Sequence, residues 1–286
     1  MTHSRPAIRD LLADGGVAPR RDLGQNFVAD ANTVRRIAEL AAIGPGDRVV
    51  EIGAGLGSLT LALAETGATV TAIEVDRGVL PMLRRVLDDA GRDDVRVVEA
   101  DAMELDWHEL LGPSGEGSAS AAVAAADAWT LVANLPYNVG TPLVCDLLDT
   151  VPQITRFLVM VQREVAERFA ASPGSSAYGA VSVKAAFWGR AEIVGHVPSS
   201  VFVPRPNVES ALVRIERRTP PDTDPTRLFG LVRSAFGQRR KMLRRSLNGV
   251  VTDDAFERAG VAPTQRPEEL GVDAWVRLAD AVGSTP

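Results

Sequence analysis

Short apolar runs alternate along this chain with stretches of helical spacing. "DRVVEIG" (47–53), "TVTAIEV" (69–75), "VRVVEAD" (95–101), "WTLVAN" (129–134) and "RFLVMVQ" (156–162) are brief and rich in β-branched residues. That is the pattern of parallel strands covered on both faces. "SLTLALAETG" (58–67) and "RGVLPMLRRVLDDAG" (77–91) lie between them with a helical period. The alternation predicts an α/β fold with a doubly wound, Rossmann-like sheet. It lapses twice. "GPSGEGSASAAVAAADA" (112–128) is built of small residues and reads as a surface insertion between the third and fourth strands. "RRTPPDTDPTR" (217–227) has the proline and aspartate content of a linker. The expected organisation is a ligand-binding α/β domain over residues 1–218 and a small C-terminal α-helical domain over 219–286.

Composition narrows the class. At 286 residues with 45% hydrophobic and 24% charged, the chain can bury a sizeable core. No apolar run reaches the length of a transmembrane helix, and the charged N-terminus does not read as a signal peptide. Cys145 is the single cysteine, and His3, His108 and His196 are scattered without ligand spacing, so no disulfide and no metal site are expected. A reducing, cytoplasmic setting fits these counts. The net charge of −6 conceals a segregation. Residues 225–252 hold seven basic side chains and no acidic one, which leaves −13 on the rest of the chain. Arg240 with Arg244, and Lys241 with Arg245, are four residues apart and would share helix faces opposite an apolar stripe. Arg239 falls near that stripe, where it either snorkels or meets a carboxylate. A one-sign run in an acidic protein points to phosphate contacts, and a solvated face is the alternative.

Chemistry gathers at the carboxyl ends of the predicted strands. "VVEIGAGLGSLT" (49–60) sets Gly53, Gly55 and Gly57 between a strand and a helix, where backbone can approach a ligand closely. The nicotinamide fingerprint would require glycine at position 58, which is Ser58 here. The E-x-G-x-G-x-G form instead resembles the loop that S-adenosyl-L-methionine-dependent methyltransferases use. Glu74 ends the second strand 21 residues after Gly53, where a carboxylate can accept from both hydroxyls of a ribose. Asp101 ends the third strand and could accept from an adenine amino group. Each could also be an ordinary strand-end carboxylate.

"NLPY" (134–137) ends the fourth strand on the same rim. An adenine exocyclic amine is a poor nucleophile because its lone pair is delocalised into the ring. Acceptors around its N–H bonds, the Asn134 side-chain oxygen and the Leu135 carbonyl, would favour a pyramidal nitrogen. Pro136 stiffens the turn and aims that carbonyl. Tyr137 offers a π-face for an extruded base. Phe202, in "VFVPRPNVES" (201–210), could complete a base sandwich or simply be core. "GQNF" (24–27) could hold a cofactor's polar end or cap the helix that follows.

Nearly the whole chain resembles the ribosomal RNA adenine dimethyltransferases. "LGQNFVAD" (23–30), "VVEIGAGLGSLT", "IEVD" (73–76), "DAM" (101–103), "NLPYNVGTPL" (134–143), "VQREVAERF" (161–169), "YGAVSV" (178–183), "VFVPRPNVESALV" (201–213) and "FGQRRKMLRRSL" (236–247) follow that family's blocks in order. The insertion at 112–128 is longer than the family's usual connection. The resemblance implies a methyltransferase domain and a cytoplasmic enzyme that uses S-adenosyl-L-methionine. It would dimethylate two adjacent adenosines near the 3′ end of small-subunit (16S) rRNA during ribosome biogenesis. It implies that Asn26, Val28, Gly53, Glu74, Asp101 and Asn134 line the cofactor site. Arg239, Arg240, Lys241, Arg244 and Arg245 are the expected RNA contacts, the small ribosomal subunit the partner, and a monomer the expected state. An adenine methyltransferase of large-subunit RNA or DNA, and an assembly factor whose catalysis is secondary, remain as alternatives.

Overall fold

A computed structural model of the chain describes residues 4–20, 22–112 and 127–283. His3 and nearly all of the expected 112–128 insertion lie outside the described residues. The chain forms two compact units, Met1–Ala166 with Glu192–Arg217, and Glu167–Ala191 with Arg218–Pro286. A single boundary at 218 therefore does not describe the division. The excursion 167–191 belongs with the second unit because its apolar residues, Tyr178, Val183 and Phe187, are buried in that unit's core.

In the first unit the strands are β1 (Phe27–Val28), β2 (Arg48–Ile52), β3 (Thr69–Glu74), β4 (Arg96–Glu99), β5 (Trp129–Asn134), β6 (Ile154–Gln162), β7 (Gly189–Val197, entering from the second unit), β8 (Phe202–Val203) and β9 (Ser210–Arg217). Seven of them form one sheet in the order β4-β3-β2-β5-β6-β9-β7. The five strands read from the sequence pair in parallel, with β2 between β3 and β5. The sheet does not stop there. β9 joins β6 antiparallel, with Gln162 opposite Ser210, and β7 lies beyond it. β1 and β8 make a separate antiparallel pair, Phe27 opposite Val203 and Val28 opposite Phe202.

The helices of this unit are α1 (Arg5–Asp14), α2 (Ala31–Ala41), α3 (Ser58–Glu65), α4 (Leu80–Asp89), α5 (Trp107–Leu111), α6 (Gly140–Thr150) and the start of α7 (Arg163–Phe169). Asp30 caps α2, its carboxylate accepting from Thr33 N at 2.7 Å, so the "GQNF" segment is not that helix's cap. α3 is apolar nearly all round and buried from Leu59 to Ala64, as a helix enclosed in a core requires. The far end of α6 is closed by Arg217. Its guanidinium donates to the carbonyls of Leu147, Leu148, Val151 and Ile154 at 2.9–3.1 Å. These include the carbonyls that a helix C-terminus leaves without partners. Burial pushes the Arg217 pKa down to about 10, which still leaves it charged at neutral pH.

The second unit holds the rest of α7 with α8 (Ala180–Trp188), α9 (Pro225–Phe236), α10 (Leu243–Ser246), α11 (Asp253–Ala259) and α12 (Val272–Gly283). Trp275, Leu228, Phe256 and Leu278 are buried at its centre. Asp224 caps α9 and Pro225 starts it. The expected helix through the basic run is interrupted. α9 ends at Gly237, the chain turns, Met242 is extended, and helix resumes only at Leu243. Arg240 and Lys241 therefore lie in the turn, and Arg244 and Arg245 on α10. No helix among the described residues is long and apolar enough to cross a membrane.

Candidate active site

A cavity opens at the carboxyl ends of β2, β3 and β5, where doubly wound sheets bind ligands. The glycine loop forms its floor. Gly53 N and Ala54 N both donate to Ile73 O, which ties the loop to β3. Gly55 has φ +55°, and a Cβ there would meet the Phe27 ring at 3.0 Å, so the close approach of "GQNF" to the loop needs glycine. Its N–H donates to Glu74 Oε2 at 2.7 Å. Glu74 Oε1 accepts from Asp76 N at 2.8 Å. The carboxylate is thus fixed by one backbone donor on each oxygen, and each oxygen retains a further acceptor position. Burial pushes the Glu74 pKa above its ordinary value, against the pull of these two N–H groups.

A second carboxyl, absent from the residues expected at this site, lines the same cavity. Glu51 is 1% exposed, and its Oε2 has no hydrogen-bond partner among the described residues. Burial, reinforced by the charge of Glu74, pushes its pKa up to about 8. The signal was present as the first residue of E-x-G-x-G-x-G, but its inward position follows from the strand's register.

The N-terminal segment forms the facing wall through Asn26, Phe27 and Val28. Gln25 anchors it, donating to Asp76 Oδ2 at 2.7 Å while its own oxygen accepts from Arg20 N. Asn26 donates its side-chain amide to Gly24 O, and its backbone carbonyl accepts from Asn134 Nδ2 at 2.9 Å. Asn134, Leu135, Pro136 and Tyr137 complete the lining. Leu135 N donates to Met160 O, and Pro136 O accepts from Val139 N and Gly140 N as α6 begins. The Leu135 carbonyl takes no part in those turn bonds. Tyr137 is half-buried, and its hydroxyl lies 2.8 Å from Ser210 Oγ.

Asn26, Val28, Gly53, Gly55, Glu74 and Asn134 to Tyr137 therefore share one cavity. Gly57, Asp101 and Phe202 do not line it. Gly57 caps α3 at φ +83°, where a Cβ would meet Leu83 of α4 at 2.9 Å. Asp101 is exposed, and its Oδ1 accepts from Met103 N in a local turn. Two apolar side chains lie exposed on this rim, Val75 at 44% and Met103 at 45%. Phe202 is 1% exposed and belongs to the core between sheet and helices, so it offers no π-face beside Tyr137. The β1–β8 pairing places its side chain there, a long-range constraint invisible in the local sequence.

The basic run belongs to the second unit. Arg240, Lys241, Arg244 and Arg245 are all exposed and make no ion pair among the described residues. Arg239 differs, because its Nε meets Glu268 Oε2 at 2.7 Å and its Nη2 donates to Ser176 O. Of the alternatives for Arg239, the carboxylate partner is the one found.

The family described as ribosomal RNA adenine dimethylase matches residues 17–282. Ribosomal RNA small subunit methyltransferase A of Bifidobacterium adolescentis is 45% identical over 289 residues, covering 96% of this chain and 92% of that protein. The protein of the same name from Leifsonia xyli subsp. xyli is 47% identical over 285 residues, 95% of each chain. Among solved structures, a dimethyladenosine transferase from Plasmodium falciparum has a TM-score of 0.73 at 22% identity, covering 87% of this chain and 94% of that one. The 23S rRNA methyltransferase ErmE has a TM-score of 0.67 at 26% identity, covering 90% and 100%. The shared fold is the Rossmann-like methyltransferase sheet.

Proposed function

For a chain that belongs to the ribosomal RNA adenine dimethylase family, we propose that the cavity is the S-adenosyl-L-methionine site of a 16S rRNA adenine dimethyltransferase. The enzyme methylates the exocyclic amines of two adjacent adenosines near the 3′ end of small-subunit rRNA, as part of ribosome biogenesis in the cytoplasm. Relatives with small-subunit names are 42–47% identical across 92–95% of their length, against 26% for the 23S enzyme, which favours the small subunit over the large. The observation that carries the chemistry is the placement of Asn134-Leu135-Pro136-Tyr137 in the same cavity as the glycine loop and Glu74.

The residues present fit this cofactor. A backbone cradle at Gly53 and Gly55, with the Glu74 carboxylate and the buried Glu51 carboxyl beside it, suits a ligand that carries ribose hydroxyls. When bound, S-adenosyl-L-methionine supplies a methyl group activated by its sulfonium. Glu74, held by Gly55 N and Asp76 N, uses its remaining acceptor positions for the ribose hydroxyls. Asp101 accepts from the adenine amino group on the rim that Val75 and Met103 make apolar. Asn26 and Val28 close the opposite wall.

The target amine is served by the turn. Asn134 commits its NH2 to Asn26 O, which leaves its oxygen as an acceptor for an amine N–H. The Leu135 carbonyl, outside the turn's own bonds, accepts the other. Together they favour the pyramidal nitrogen and localise its lone pair, and they are in place before the reaction. No general base is needed, because the nitrogen releases its proton after it has become cationic. Tyr137 stacks on the extruded base. Arg240, Lys241, Arg244 and Arg245 of the second unit hold rRNA phosphates, and the protein acts as a monomer.

The test is a labelled-methyl assay on unmethylated small subunits, with mass spectrometry of the nucleosides. Dimethyladenosine at two adjacent positions near the 3′ end is the expected product. Label appearing only in large-subunit RNA or DNA would overturn the substrate. An Asn134→Ala variant that still performs the protein's whole role in subunit maturation would make the protein an assembly factor first.

A further inference from the structure

Tyr137 and Ser210 are 73 residues apart in sequence, and their hydroxyl oxygens are 2.8 Å apart. Ser210 is 1% exposed and starts β9, directly opposite Gln162 at the end of β6. It is held by a strand pair, so its hydroxyl is a fixed point. The turn that carries Tyr137 is fixed at its base too. Leu135 N donates to Met160 O, and Pro136 locks its own backbone. What remains free in this turn is the swing of the Tyr137 side chain, and a hydrogen bond at the far end of the ring removes it. A buried hydroxyl also needs a partner. Burial pushes the Tyr137 pKa up, and the bond to Ser210 opposes that shift.

We infer that Ser210 is a positioning residue, which acts through the Tyr137 hydroxyl to hold the ring as a preset platform for the target adenine. The inference rests on the reading of Tyr137 as the stacking residue. A ring already ordered loses little side-chain freedom when the base arrives. The base enters the cavity after the subunit has been captured, so loss of the anchor should appear in kcat and not in the KM for subunits. The same platform must hold the monomethylated base for its second transfer. A loosened ring should therefore also release more monomethyladenosine.

The experiment compares wild type, Ser210→Ala, Tyr137→Phe, the double variant and Ser210→Thr on unmethylated small subunits, with Tyr137→Ala as reference. Loss of one neutral hydrogen bond predicts a fall in kcat of about 3- to 10-fold for each single variant. The double variant should be no worse than the poorer single, because both remove the same bond. Ser210→Thr, which keeps the hydroxyl, should restore both turnover and the ratio of di- to monomethyladenosine. Donor affinity and subunit KM should stay at wild-type values. Multiplying losses in the double variant, or a silent Ser210→Ala beside an impaired Tyr137→Ala, would overturn the inference alone. A fully active Tyr137→Ala would overturn the stacking reading itself.

Discussion

The side-chain amide of Asn134 donates to the backbone carbonyl of Asn26 at 2.9 Å, across 108 residues of sequence. The bond joins the end of β5 to the wall carried by the N-terminal segment, and it decides which end of the amide serves as acceptor. On the proposed role of Asn134, Asn134→Ala removes one acceptor for the target amine in the transition state. Turnover should fall by about 10²–10³-fold, with the fold and most donor affinity retained. Single-turnover kinetics beside calorimetry decide the matter. An equal loss of donor affinity would make Asn134 chiefly a donor ligand.

Glu74→Ala should raise the dissociation constant of S-adenosyl-L-methionine at least about tenfold, since hydrogen bonds to a charged group contribute roughly 1.5–3 kcal/mol each. It also releases Gly55 N and Asp76 N, so the glycine loop should gain mobility. RNA affinity should barely change. Unaltered donor affinity by calorimetry would sink the ribose assignment.

Glu51 makes stability depend on pH. Its folded pKa, about 8, lies above the ordinary value of 4.5. Between those values the folded chain holds a proton that the unfolded chain has lost. Its contribution is complete below pH 4.5 and is lost as pH rises through about 8. Glu51→Gln cannot ionise. The variant should therefore gain on wild type by up to about 1.4 kcal/mol per pH unit across that window. Urea melts of the ligand-free protein from pH 5 to pH 9 would measure it. Parallel curves for the two proteins would refute the assignment.

Neutralising Arg240, Lys241, Arg244 and Arg245 should weaken subunit binding. The slope of log affinity against log salt should fall by about 0.7–0.9 for each phosphate no longer neutralised. Donor affinity should be unchanged. Arg239→Ala should behave differently, lowering the melting temperature while leaving the salt slope alone, because Arg239 is spent on Glu268 and Ser176. A fourfold variant with an unaltered slope would mark the turn as a solvated face.

Features read correctly from the sequence were those that short stretches determine by themselves. β2, β3 and β5 are short β-branched-rich runs buried almost end to end, and the glycine loop follows from the step between strand and helix. Other features depend on partners distant in the chain. Phe202 sits among valines in sequence, and its burial is set by pairing with β1. Ser210 opens an unremarkable strand until Tyr137 is placed beside it. The excursion 167–191 was hidden because its apolar residues fit either unit's core equally well as a pattern. The break in the basic run was legible in principle at Gly237, but the run of like charges with helical spacing outweighed a single glycine.

β9 has a further consequence, in the timing of synthesis. Its first residue, Ser210, holds the ring of Tyr137, and its last, Arg217, closes the far end of the helix that follows that ring. A nascent chain emerging from its ribosome has made all five parallel strands by residue 162, yet neither clasp exists until about fifty residues later. The parallel part of the sheet can therefore assemble first, while the turn that carries Tyr137 stays unfinished through the excursion into the second unit. Stalled chains ending just before residue 210 should leave the 134–140 turn open to hydrogen exchange, and protection there should arrive with the last strand.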